Sequence, residues 1–73
     1  MAVRVRAARE LGGIVRECRE SRGWSQQALA DRAGTSREWI VRLEGGKPGV
    51  RMDLVFDVFR ALGLSIELTE DAT

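Results

Sequence analysis

The chain of 73 residues contains no histidine and one cysteine. Without an imidazole there is no ready general base, and the carboxylates are scattered at positions explicable as helix caps and solvated charges. A lone thiol, Cys18, can neither assemble a zinc site nor close an internal disulfide. Catalysis is therefore not expected, and no cofactor is implied. No apolar run reaches membrane-spanning length, and the opening MAVRVRAARE lacks the apolar centre of a signal peptide. A cytoplasmic location with no membrane partner is the expectation.

What is present describes a small globular domain: 44% hydrophobic and 32% charged residues exclude disorder. At this size a single core contributes only about 3–5 kcal/mol, so oligomerisation is a common support. The net charge of +1 conceals an asymmetry. Residues 1–51 carry eleven Lys or Arg against six Asp or Glu, whereas residues 52–73 carry one against five. A basic body with an acidic end suits a surface facing phosphates; solvated charged faces explain the same counts.

Periodicity organises the chain around Ser25–Glu44, SQQALADRAGTSREWIVRLE. Ser25 is a good N-cap, and Trp24 with Leu29 makes a hydrophobic staple. Gly34 ends this first helix, and either Thr35, in a capping box with Glu38, or Ser36 caps the next. In that second helix Ile40 and Leu43 share one side, while Glu38, Val41 and Arg42 point away, with Arg37 and Trp39 on the flanks. Trp39 either packs on thymine methyls and sugars or covers the turn, and packing is the preferred reading.

Upstream, Glu10–Arg22 reads as a helix with Leu11, Ile14, Val15 and Cys18 on its buried stripe, which makes Cys18 inert packing. Val3 and Val5 alternate with arginines, as a short strand or a frayed end. Downstream, EGGKPGV holds three glycines and the only proline and is a loop. A phosphate-loop reading fails there, because Val41 stands where the first glycine is required and Pro48 where Ser or Thr should follow Lys47. Arg51–Leu62 forms a last helix without a convincing N-cap. Val55, Val58, Phe59 and Leu62 make its apolar face; Met52 and Phe56 widen it, either as a generous core or as part of a dimer surface. After Gly63 the pattern switches to alternation, with Leu64, Ile66 and Leu68 on one side of a strand. A lone strand must pair, with Val3–Val5 or, the favoured option, with its copy across a two-fold axis.

The set Ser25-Gln26, Leu29-Ala30, Gly34, Ser36, Ile40, Glu44-Gly45-Gly46-Lys47 and Leu62-Gly63 resembles the helix-turn-helix of the Xre family, which includes the lambdoid Cro and repressor proteins. With the terminal strand and Gly-Trp-Ser-Gln opening the second helix, it looks like the HipB-type antitoxins. The resemblance implies a mainly α, four- to five-helix lambda-repressor-like domain over residues 10–63, preceded by an arm (1–9) and followed by a strand and acidic tail (64–73) that pairs across a homodimer through Leu64, Ile66 and Leu68. It implies a repressor of an inverted-repeat operator in double-stranded DNA, with a HipA-like serine/threonine kinase toxin as partner, or else a stand-alone regulator or a protein-interaction module on the same fold. Positions 36, 37, 38 and 42 read bases in that family, here Ser36, Arg37, Glu38 and Arg42. Ser25, Gln26, Lys47 and Arg51 are the expected phosphate contacts. Arg19 is expected to pair with Glu44, so neither counts as a DNA reader.

Overall fold

The structure, a computed structural model, describes residues 3–70. Four helices follow in order: α1 (Ala8–Ser21), α2 (Gln26–Ala33), α3 (Arg37–Glu44) and α4 (Met52–Leu62). Helix α1 starts two residues earlier than its apolar stripe indicates, and α4 one residue later than Arg51. Helix α2 packs on α3 and α4, and α1 packs on the same two.

The caps explain the boundaries. The Ser25 hydroxyl accepts the Ala28 amide at 3.0 Å and the Ser36 hydroxyl accepts the Trp39 amide at 3.1 Å, so Ser36 and not Thr35 caps α3. Thr35 is needed elsewhere: its amide donates to Ala30 O at 2.9 Å, closing the end of α2 across Gly34, which has φ +73°. The same return ends α3, where the Lys47 amide donates to Arg42 O at 3.1 Å across Gly46. A left-handed residue is the condition for this bond, and glycine meets it without steric cost. Helix α4 has no side-chain cap.

Val15, Leu29, Ala30, Ile40, Leu43, Val55, Val58, Phe59 and Leu62 form the core, contributed by all four helices. Leu11, Cys18, Trp24 and Trp39 pack against it half-buried, which accords with the packing reading of Cys18 and sets Trp39 against the protein's own core. Ile14 is half-buried but lies outside this cluster. Met52 and Phe56 are 54% and 48% exposed, so they do not enlarge the core.

Two glycines set the distance between α1 and α3. A Cβ on Gly12 would stand 2.3 Å from Leu43 O and 2.7 Å from Glu44 O, and one on Gly46 would stand 2.6 Å from Arg9 Cα. The first turns of α1 therefore lie directly on the backbone that ends α3. A methyl group at either place would push the two helices apart.

The expected strand does not form within the chain: no residue from 3 to 70 is in a strand, and Val3–Val5 does not pair with the C-terminal segment. Leu64 alone turns inward, held by its amide on Phe59 O at 2.8 Å, while Ile66 and Leu68 are 42% and 95% exposed. The physical reason is the absence of a ladder partner within reach, since alternation supplies faces but no hydrogen bonds.

Candidate nucleic-acid interface

Helix α3 has two contrasting sides. Ile40 is fully buried and Leu43 nearly so, while Arg37, Glu38, Val41 and Arg42 are exposed. Among the described residues Arg37 and Glu38 make no side-chain hydrogen bond, and Arg42 makes one, at 3.5 Å to Pro48 O. Most of both guanidinium forks is therefore free to form paired hydrogen bonds with a planar acceptor edge. Ser36 and Ser25 use a lone pair for capping, which leaves each hydroxyl proton available to an outside acceptor.

Behind this surface Glu44 ties three helices together. Its carboxylate accepts from Arg19 Nε at 2.7 Å and Arg19 Nη2 at 3.0 Å, and from Gln26 Nε2 at 3.2 Å. Arg19 Nη1 donates to Trp24 O at 2.8 Å, so α1 also holds the chain entering α2. Hydrogen bonding to the Glu44 carboxylate raises the Arg19 pKa above its ordinary value, outweighing the opposing effect of burial. The Arg19–Glu44 pair thus forms as expected, inside the protein.

Gln26 departs from the simple expectation of a free phosphate donor, because one amide hydrogen is given to Glu44. The second remains for an outside acceptor. Lys47 is exposed in the loop after α3. Arg51 is exposed too but is engaged by Asp53, with its Nε 3.1 Å from Oδ1 and a second bond from Nη2 to Oδ2. That hydrogen-bonded guanidinium holds the Asp53 carboxyl below the ordinary carboxylate range. A phosphate approaching Arg51 must compete with this neighbour.

Sequence reasoning missed Gly12 and Arg22. A glycine inside a helical pattern costs about 1 kcal/mol relative to alanine, and that cost was the available sign that Gly12 serves a close contact. Arg22 donates to Cys18 O and to Leu62 O, joining the ends of α1 and α4, while Trp24 is flanked by Arg22 and, at 4.1 Å, by Arg32. No local pattern marks a side chain that reaches forty residues along the chain.

Residues 10–72 match a helix-turn-helix domain family. The chain belongs to the Xre-type helix-turn-helix family. Over 68 residues this Xre domain is 37% identical to an uncharacterized HTH-type transcriptional regulator, y4mF, of Sinorhizobium fredii, covering 93% of this chain and 90% of that one. Its fold is that of HipB in a HipA–HipB–O2–O3 complex, with a TM-score of 0.85 at 22% identity over 94% of this chain and 97% of that one. The restriction-modification controller protein C.AhdI of Aeromonas hydrophila is also similar, with a TM-score of 0.73 at 28% identity over 80% and 88% of the two chains. The Xre domain thus has the fold of helix-turn-helix transcriptional regulators, and among its described residues no helix is long and apolar enough to cross a membrane.

Proposed function

We propose that the protein is a dimeric, sequence-specific repressor whose α3 enters the major groove of an inverted-repeat operator. The supporting observation is the division of α3, with Ile40 and Leu43 buried and Arg37, Glu38 and Arg42 exposed and largely unengaged. In this reading Arg37 and Arg42 pair with guanine edges, each for about 1–3 kcal/mol of discrimination, and Glu38 accepts from a cytosine amino group. Ser36 donates its hydroxyl proton to a base or phosphate. Ser25, the second amide hydrogen of Gln26, Lys47 and Arg51 hold the backbone and set the register.

Leu64, Ile66 and Leu68 pair with their copies across a two-fold axis, and Met52 and Phe56, one turn apart on α4, extend the apolar surface. The fold shared with HipB, which is found in complex with HipA, supports a further role as the antitoxin of a HipA-like kinase toxin that represses its own operon. The similarity to C.AhdI supports the second reading, a stand-alone regulator without a toxin.

DNA binding is tested by titrating the protein's own upstream DNA and a random duplex at several salt concentrations. Arg42→Ala relaxes preference at one base pair, whereas Lys47→Ala weakens both duplexes alike and lowers the salt slope by about one phosphate. Equal losses on both duplexes for Arg42→Ala would sink this division of roles. Capture of the tagged protein from its own cells at moderate salt decides the partner. A stoichiometric kinase makes it an antitoxin; promoter DNA alone makes it a stand-alone regulator.

A further inference from the structure

We infer that a basic arm, residues 3–7, together with Arg9 in the first turn of α1, grips the DNA phosphate backbone beside the Lys47 loop, an extension of the interface that rests on the DNA-binding reading above. Residues 1–9 contain Arg4, Arg6 and Arg9 and no acidic residue. All three arginines are exposed, and none takes part in an ion pair among the described residues. They surround the start of α1, the positive end of a helix, where a cation gains nothing from the helix dipole. Their placement therefore brings the fold no evident stability.

Location supplies the second argument. Arg9 Cα lies so close to Gly46 that a Cβ there would approach it to 2.6 Å, and Lys47 is the next residue. The arm thus leaves the domain at the turn that ends α3, on the side where a phosphate contact is already proposed. Glu10 fixes the point of departure by accepting the Arg6 backbone amide at 2.7 Å, which leaves the Arg6 guanidinium uncommitted. The alternative use of this segment, pairing Val3–Val5 with the C-terminal residues, is not taken up within the chain.

The chemistry selects phosphate. A guanidinium matches a phosphate with two parallel hydrogen bonds, and were the segment to extend along a phosphate backbone, the alternation of its sequence would put Arg4 and Arg6 on one face with Val3 and Val5 on the other. Such a strip can follow a phosphodiester backbone without reading bases.

The test compares wild type, an Arg4→Ala/Arg6→Ala/Arg9→Ala triple variant and the corresponding triple Arg→Lys variant on the upstream duplex and a random duplex across a salt series. The alanine triple is expected to bind both duplexes roughly tenfold or more weakly and to lose about 0.9 of salt slope for each phosphate released. Its ratio of specific to random affinity and its thermal midpoint should stay at the wild-type values, and the lysine triple should recover most of the slope. An unchanged slope in the alanine triple overturns the arm while leaving the DNA-binding reading intact. A changed ratio overturns backbone-only contact. Wild type that binds neither duplex in a salt-dependent way overturns both.

Discussion

Glu44 closes the helix proposed to read DNA, yet its own carboxylate faces inward, where Arg19 and Gln26 share it. The Glu44 side chain is 4% exposed and that of Arg19 10%, so this is a buried pair whose Coulomb attraction is opposed by a large desolvation cost. Removing one partner leaves the cost without the attraction. Glu44→Ala is expected to lower stability by about 3–5 kcal/mol, comparable to the whole stability of a domain this small. Urea unfolding with circular dichroism would show a variant largely unfolded in water; a midpoint close to wild type would refute the burial argument. Asp53 makes a contrasting case, an exposed carboxylate held below its ordinary pKa by Arg51. A depressed folded pKa means stability that is complete above the unfolded value of about 3.9 and is lost as pH falls through the lower folded value. Asp53→Asn should therefore flatten the acid limb of a stability–pH profile, and the same variant should tighten DNA binding by freeing Arg51. Unchanged affinity would show that Arg51 makes no phosphate contact.

Helix α1 shows why an element can be recognised and still be misunderstood. Its buried stripe is legible from Leu11, Val15 and Cys18, but Ile14, on the same stripe, lies outside the core cluster. Helical spacing specifies a face about 100° wide; only the placement of the neighbouring helices decides which edge of that face is covered. Gly12 is the other half of the lesson. Within α1 it reads as a weak point, whereas against α3 it is the contact that brings the two backbones together. Gly12→Ala is expected to improve intrinsic helix propensity and yet destabilise the protein by about 1–3 kcal/mol through overpacking. Gly13→Ala serves as the control, because a Cβ there meets nothing within 4 Å. A thermal midpoint for Gly12→Ala at or above that of Gly13→Ala would contradict the close-packing account. The cap of α3 follows similar logic, since Thr35 and Ser36 are both competent and the return of the α2 terminus through the Thr35 amide leaves the role to Ser36.

At the scale of the molecule the unpartnered feature is the segment after Gly63. Ile66 and Leu68 stand in solvent at 42% and 95% exposure, and Met52 and Phe56 add two further exposed apolar side chains. Ile66→Asp with Leu68→Asp is expected to leave the helical content unchanged while converting a dimer to a monomer in sedimentation, and to weaken binding to the inverted repeat far more than to a half-site. A monomer for wild type at the same concentration would rule out this dimer.

The sequence by itself determined the four-helix order, the caps at Ser25 and Gly34, most of the core and the residues displayed on α3, because each depends on spacing along one helix or on the chemistry of one terminus. The ion pair of Arg19 with Glu44 also emerged from the sequence, through resemblance to the Xre family and not through periodicity. Only the tertiary structure decided the role of Gly12, the sharing of Gln26 with Glu44, the approach of Arg9 to Gly46 and the exposure of Met52 and Phe56. These are relations between surfaces far apart in the chain, and local patterns carry no record of distance across a core. The alternating segment from Leu64 to Leu68 marks the same boundary: its faces are written in its residues, but a strand exists only when another backbone supplies the other half of its hydrogen bonds.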